Sequence, residues 1–434
     1  MKGNLKKRLQ YLLFLVIIIP LTIELSPYAL SPLIYKQSFS RKNLQSELLR
    51  QYEKQVEKDV KSNKNESENE YLGDHILHPY LGFVNVPNKN YNRFCFPGAD
   101  PITHKSADTL NVCLTGGSVA LGLYNTSRDR IIERLKTSKY FKDKEIKIVL
   151  FALGGFKQPQ QLLALNYFLS LGAQYDIVIN LDGFNEIVLP FSDNLPSHVF
   201  PSYPRHWNIY SRKSLDSKVQ LLLSKQVALK EKQRNTDRFF VKSYLYKSNF
   251  GLLFWGGLNT DNKSSSFQLE GQLRTAISQS GSDYQSRGPV EIVKDTSLFF
   301  TEQAELWQRS STMIGNIGKT AGFDYFHFLQ PNQYYQNSKE LTEEELTIAY
   351  EHQPFAYKTA VQTGYPILIK QGQQLSDNGI NYFDLTLIFK NEKRTVYNDK
   401  CCHFNKLGYN LIADKIAQSI VDYFENGKSV NSKK

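Results

Sequence analysis

The stretch Leu110-Asn111-Val112-Cys113-Leu114-Thr115-Gly116-Gly117-Ser118-Val119-Ala120 decides how this 434-residue chain is read. A short apolar run closes on two glycines, presents a serine, and passes into a segment with helical character. Glycines let the backbone turn where a side chain would clash. The same arrangement recurs downstream. Ile146–Leu153 leads into Gly154-Gly155-Phe156-Lys157-Gln158, and Asp176–Leu181 leads into Asp182-Gly183-Phe184-Asn185-Glu186. Phe323–Leu329 leads into Gln330-Pro331-Asn332-Gln333-Tyr334. Between these runs lie stretches with helical spacing, Ile131–Tyr140 and Gln160–Leu171. Leu407–Phe424 reads as a last helix, with Leu411, Ile412, Ile416, Ile420 and Val421 on one face. Strands alternating with helices predict an α/β fold with a parallel sheet. In such sheets the chemistry sits beyond the carboxyl ends of the strands.

Each strand end delivers a candidate residue there. Ser118 stands at a helix N-terminus, where its own N–H can meet a developing negative charge. Gly155 can offer a backbone N–H to the same charge, or simply serve the turn. Asn185 can donate a side-chain N–H, or cap a helix. Glu186 can be read as a general acid, but no second carboxylate at useful spacing supports a glycosidase pair. The segment Asn398-Asp399-Lys400-Cys401-Cys402-His403-Phe404-Asn405 precedes the last helix. A serine hydroxyl needs an adjacent base, and a histidine oriented by a carboxylate supplies one. Of the eight histidines, only His403 combines a local carboxylate, Asp399, with a following turn and helix. His75 and His78 follow Asp74 but lie upstream of the sheet, where metal binding has little support. The Gly-Gly-Ser spacing is not that of a Walker phosphate loop, which excludes nucleotide binding on that motif.

Composition fits a folded chain, with 41% hydrophobic, 13% aromatic and 22% charged residues. The formal net charge of +11 invites a nucleic-acid reading. The basic residues are scattered, however, and the one cluster, Lys2, Lys6, Lys7 and Arg8, sits before an apolar run. No nucleic-acid partner is expected. Positive charge followed by Tyr11–Ile23 is how a chain enters a membrane with its N-terminus inside. The run is interrupted at Glu24 and resumes through Tyr35. No small-x-small cleavage site follows it cleanly, so residues 1–35 are read as an uncleaved anchor rather than a signal peptide. Residues 36–72 read as a polar stalk, with Leu44, Leu48, Tyr52 and Val56 on one helical face and 61–70 as linker. Residues 73–434 form the remaining domain, with an insertion at about 195–295 that is read as a lid, a substrate platform or a surface excursion. Val219–Lys230 is its one helical stretch. Four cysteines, Cys95, Cys113, Cys401 and Cys402, are too few for a disulfide scaffold and lack zinc-site spacing. Cys95 can pair with Cys401 or Cys402 on sequence grounds. No metal site is expected.

The four glycine- and histidine-bearing segments, in this order, resemble the blocks of the SGNH (GDSL-like) hydrolase family. Gly116-Gly117-Ser118 resembles the nucleophile block, with Gly117 where Asp is more familiar. Gly155 resembles the glycine block, with Leu150 where an asparagine often stands. Gly183-Phe184-Asn185-Glu186 resembles the Gly-x-Asn-Asp block, with Glu186 in the place of Asp. Asp399 and His403 resemble the terminal Asp-x-x-His block, with a separation of four rather than three. The resemblance implies a flavodoxin-like three-layer α/β/α sandwich. It implies attack by Ser118 on an ester carbonyl, His403 as base, Asp399 as its orienting acid, and an oxyanion held by Ser118, Gly155 and Asn185. No cofactor is implied. The expected substrate is an ester or acylated glycan, met outside the cytoplasm, with the bacterial periplasm as the implied compartment. Two other readings share the site: a polysaccharide O-acetyltransferase passing the acyl group to a sugar hydroxyl, and a non-catalytic carbohydrate-binding or scaffold protein. A glycan groove would draw on aromatic residues such as Trp255, Tyr334 or Tyr335.

Overall fold

The computed structural model describes residues 11–36, 38–62, 75–211, 217–279, 283–289, 293, 295–353 and 355–427. The cluster Lys2, Lys6, Lys7 and Arg8, most of the 61–70 linker and Asp74 lie outside the described residues. In chain order the main elements begin with helices α1 (Tyr11–Tyr35) and α2 (Arg41–Ser62). A hairpin follows, β1 (His75–His78) and β2 (Gly82–Asn85). Next come β3 (Thr109–Gly116), α3 (Ser118–Leu135), β4 (Glu145–Ala152), α4 (Gln160–Ser170), β5 (Ile177–Asp182) and α5 (Phe184–Leu189). Two long helices, α6 (Ser217–Lys242) and α7 (Asn249–Gln279), precede α8 (Thr296–Ala321) and β6 (Asp324–Leu329). The chain closes with α9 (Ala356–Asp377), β7 (Asn381–Asp384) and α10 (Lys406–Glu425).

The chain divides into two compact units. One joins Met1–Glu70 with Lys213–Asp283, and the other joins Tyr71–Arg212 with Tyr284–Lys434. The second contains a five-stranded, all-parallel sheet of order β4-β3-β5-β6-β7. Numbered by their own sequence, the strands run 2-1-3-4-5. Right-handed crossovers fix where the helices go. The step from β3 to β4 moves one way along the sheet, and every later step moves the other way. Helix α3 therefore covers one face, and α4, α8 and α9 cover the opposite one. Packing agrees: α10 lies on α3, and α8 lies on α9 and α4. The sheet is buried on both faces, which is why its strands read as apolar runs rather than alternating ones. Every residue of β5 and β6 is buried. Register levels the carboxyl ends, with Gly116 opposite Ala152 and Leu181, and Asp182 opposite Leu329.

Several expectations shift. The helix read at Ile131–Tyr140 begins at Ser118 and ends at Leu135, where the chain passes into turns; Ser127 leaves helical geometry (φ −138°) midway. The helix read at Val219–Lys230 is the N-terminal half of the longer α6. The region 195–295 is not continuous in space. Residues up to 212 stay with the sheet, and those from 213 to 283 join the N-terminal unit. In that unit α6 and α7 lie against each other and against α2, with Leu48, Phe240, Leu252 and Trp255 in a small core. Glu24 does not break α1. Its carboxylate accepts the Ser248 hydroxyl and the Asn249 N–H (2.6 Å). Helix α1 has 25 residues and its most apolar 18-residue stretch has a mean hydropathy of 2.0, long and apolar enough to cross a membrane.

Candidate active site

Strand β3 ends at Gly116, and Gly117 is the N-cap of α3, so Ser118 opens the helix beyond the sheet's carboxyl edge. The first N–H groups of a helix have no partner within it. The loop before α10 brings the second half of the site. Asn405 caps α10 by accepting the Gly408 N–H (3.0 Å), and a bridge between Tyr397 and Phe404 closes the loop's base. His403 projects from it, and its Nε2 lies 2.8 Å from Ser118 Oγ. Its Nδ1 lies 2.5 Å from Asp399 Oδ2. A carboxylate only accepts, so Nδ1 carries the proton and Nε2 accepts from the serine hydroxyl. The other oxygen, Oδ1, accepts the N–H groups of Cys401 (2.9 Å), Cys402 (3.1 Å) and His403 (3.2 Å). Burial pushes the Asp399 carboxyl up, but the bonds from His403 and the loop N–H groups outweigh it and hold it at about 2.

The segment after β6 fixes this loop from below. Asn332 Nδ2 donates to the Cys401 carbonyl (3.0 Å), Gln333 Nε2 to that of Asp399 (2.9 Å), and the Tyr334 hydroxyl to that of Lys400 (2.9 Å). Tyr334 is thus buried and structural, and Trp255 is fully buried in the other unit with its N–H on Asp237 (2.8 Å). Neither is free to line a glycan groove. Tyr335 packs half-buried against the core.

Asn185 stands beside the backbone that presents the serine, and Gly155 precedes Phe156, whose carbonyl faces Gly117. The Asn185 side chain is buried and spends one N–H on the Phe156 carbonyl (2.7 Å), which leaves a second. A Cβ on Gly117 would fall 2.1 Å from Asn185 Nδ2, so the amide lies directly against the backbone that presents Ser118. Gly155 has φ +82°, the left-handed region that side chains resist. Glu186 does not reach the serine. Its Oε1 accepts from the Gln158 N–H (3.0 Å) and Gln161 Nε2 (2.9 Å), and its Oε2 accepts from the Gly183 N–H (2.8 Å). It therefore braces the turns carrying Gly155 and Asn185. Burial, reinforced by the Asp182 carboxylate, pushes it up to about 8.

Two features escaped the sequence. Arg205 runs across Gly155: a Cβ there would meet Arg205 Cδ at 2.9 Å. Its Nε donates to Asp193 Oδ2 (2.5 Å). The strap bearing Arg205 is held by Lys157, whose Nζ donates to the carbonyls of Pro201 and Tyr203. Burial lowers Lys157 to about 7. Nothing in the turn-rich segment 195–212 marks Arg205 beforehand. The second feature is a further Ser-His-Asp set beneath the sheet's edge. Ser311 Oγ lies 2.7 Å from His327 Nδ1, and His327 Nε2 lies 2.7 Å from Asp182 Oδ1. Trp307 and Asn180 complete the shell of Asp182. Ser311 and His327 are wholly buried, so no substrate reaches this set, whereas Ser118 is half-buried and open to solvent. Access, rather than residue type, separates the two.

All four cysteines are free, and Cys95 pairs with neither Cys401 nor Cys402. Cys401, Cys402 and His403 place donor atoms within 4.8 Å of one another. Both nitrogens of His403 are already engaged by Ser118 and Asp399, so the cluster as arranged serves the triad. His78 Nδ1 accepts the N–H groups of Tyr80 (3.3 Å) and Leu81 (3.1 Å), a turn-stabilising role. No family model matches this chain, and no curated protein matches it.

Proposed function

We propose that this chain is a membrane-anchored serine esterase of the SGNH type, acting outside the cytoplasm on O-acylated, ester-bearing substrates. The observation that carries the reading is the unbroken line from Ser118 Oγ through His403 to Asp399, at 2.8 Å and 2.5 Å, at the open end of a parallel sheet. The 2-1-3-4-5 strand order is that of flavodoxin-like sheets, which supports the three-layer sandwich.

In this mechanism Ser118 Oγ attacks the ester carbonyl as its proton passes to His403 Nε2. Asp399 keeps the imidazole in the accepting tautomer and stabilises the imidazolium. The carbonyl oxygen becomes an oxyanion, met by the N–H of Ser118, the N–H of Gly155 and the second N–H of Asn185. The C–O bond to the alcohol breaks, the leaving alkoxide takes the proton from His403, and an acyl-serine remains. Water repeats the sequence, giving its proton to Nε2 and releasing the acid. No metal or organic cofactor takes part.

The test uses full-length protein in detergent with p-nitrophenyl acetate and butyrate, alongside Ser118→Ala and His403→Ala. Turnover that falls to background in both folded variants is the expected result. Equal rates in all three proteins would remove the esterase reading. A wild type inert toward water yet able to acylate a glycan hydroxyl through Ser118 would replace it with the transferase.

A further inference from the structure

Helix α1 is the one helix among the described residues that is long and apolar enough to cross a membrane. At 1.5 Å per residue its length is about 37 Å, against a hydrocarbon core of about 30 Å. Within the same compact unit it packs on α7. Two contacts set the relative height of the two helices. Glu24 meets Ser248 and Asn249 at the start of α7, and Asn249 Nδ2 also donates to the Glu24 carbonyl (3.0 Å). Further along, a Cβ on Gly257 would fall 2.3 Å from the Tyr35 hydroxyl. The helices therefore run side by side in the same direction, and the turn joining α6 to α7 lies level with Glu24, where the uninterrupted apolar run Tyr11–Ile23 ends.

That turn carries an unusual surface. Phe239 is 60% exposed, Tyr244 65% and Phe254 59%, with Leu245 and Phe250 exposed beside them. Phe250 and Phe254 are one helical turn apart and share a face. The cations there are placed as at a water–lipid boundary: Lys247 lies over the rings of Tyr244 (4.9 Å) and Tyr246 (5.8 Å), and Arg41 donates to the Lys247 carbonyl (2.8 Å). The tip is also preformed. Asp237 accepts from Trp255 Nε1 (2.8 Å) and Gln55 Nε2 (2.8 Å), locking α6, α7 and α2 together under the exposed aromatics. Exposed aromatic side chains with adjacent Lys or Arg, at the height of Glu24 where the uninterrupted apolar run of α1 ends, are what an interfacial belt requires.

We propose that the tip of the α6–α7 hairpin, residues 239–254, is a second membrane contact, seated in the interface of the same bilayer that α1 crosses. The occupant of this apolar surface is lipid. The inference rests on α1 spanning the membrane, and it is independent of the esterase chemistry. It makes the N-terminal unit a footing with two points of contact rather than a tethered stalk.

Depth measurement tests it. Full-length protein is placed in bilayer nanodiscs of phosphatidylcholine and phosphatidylglycerol, with single cysteines introduced by Ile17→Cys, Phe254→Cys and Phe267→Cys. Each is spin-labelled, the signal of the unsubstituted protein is subtracted, and the accessibility to oxygen is compared with that to a water-soluble nickel chelate. All three positions are exposed, so the labels do not disturb a core. Phe267 is the decisive control: it is 79% exposed and apolar, but stands about 20 Å further along α7. The expected order is deep burial in lipid at 17, interfacial burial at 254 and full aqueous access at 267. Lipid at 17 with water at 254 would overturn this proposal alone. Water at 17 would remove the anchor, and the proposal with it. Equal lipid exposure at 254 and 267 would also overturn it, since the contact would then not be confined to the tip.

Discussion

Substituting Gly117 by alanine puts one methyl group where the structure leaves no room. The new Cβ would fall 2.1 Å from Asn185 Nδ2 and 3.1 Å from the Phe156 carbonyl oxygen. To restore ordinary contact the Asn185 amide must retreat by about 1 Å, a misplacement that costs on the order of a hundredfold in a positioned catalytic group. Loss of one oxyanion donor costs roughly 10²–10³ in kcat, or about 2.7–4 kcal/mol. The retreat also stretches the 2.7 Å bond from Asn185 to the Phe156 carbonyl, and overpacking of this kind destabilises by about 1–3 kcal/mol. Expected, then, is a folded protein with a lowered unfolding midpoint, a KM for p-nitrophenyl acetate within a few fold of wild type, and a kcat reduced at least a hundredfold. Gly154→Ala is the matched control, because a Cβ there meets nothing within 4 Å. The same logic predicts that Gly117→Asp, which would create the more familiar nucleophile motif, inactivates this chain. Wild-type kcat in folded Gly117→Ala protein would refute the role given to Asn185.

Three further outcomes are expected. Asp399→Asn turns an N–H toward His403 Nδ1, forces the other tautomer and leaves Nε2 unable to take the serine proton; kcat should fall about 10⁴-fold with little change in KM, read by steady-state kinetics. Glu345→Ala removes the partner of Lys339 (2.7 Å), both side chains being fully buried, and frees the Val396 and Tyr397 N–H groups that lead into the triad loop. Stability should drop by roughly 3–5 kcal/mol in urea unfolding, and kcat should fall as the loop loosens. Glu186 binds its proton more tightly folded, at about 8, than unfolded, near 4.5, so its stabilising contribution is complete below pH 4.5 and is lost as pH rises through 8. Glu186→Gln should flatten the fall in urea midpoint between those limits; an unchanged slope would show that another group sets it.

What could be read from the sequence was whatever local chemistry writes into a short window. A buried parallel strand is a short apolar run, so β3 through β6 were legible to within a residue or two. Strand β7 was not, because four partly exposed residues, Asn381–Asp384, carry no such run. Ser118, Gly155 and Asn185 were candidates because each follows a strand end, and His403 because a carboxylate is in the same turn; the structure brings Ser118, His403 and Asp399 into one hydrogen-bonded line. Arg205 gave no signal: it reaches Gly155 only because a buried Lys157 ties its strap down, a contact set by tertiary packing. The Ser311-His327-Asp182 set was equally silent, since its members lie on α8, β6 and β5 and meet only through the sheet. The division of residues 195–295 between two units is likewise a matter of which distant apolar faces pair, and composition does not encode that.

The separation of four between Asp399 and His403, one longer than the resembling motif, has a structural use. With four positions the turn directs three successive N–H groups, from Cys401, Cys402 and His403, onto Oδ1 while Oδ2 faces the imidazole. The added residue is absorbed within the turn, because the Asn398 N–H still bonds the His403 carbonyl (3.1 Å) and the bridge from Tyr397 to Phe404 still closes its base. Both ends of the turn are thereby pinned, and the carboxylate is fixed in orientation by donors that no side-chain rotation can withdraw. Those donors favour the ionised form, which keeps a half-exposed Asp399 near 2 despite its partial burial. A carboxylate held this way meets the demand placed on the third member of the triad: it stays charged and stays aligned while the imidazole beside it gains and loses a proton. The longer spacing is therefore compatible with the chemistry, and its cost is met by the backbone of the turn itself.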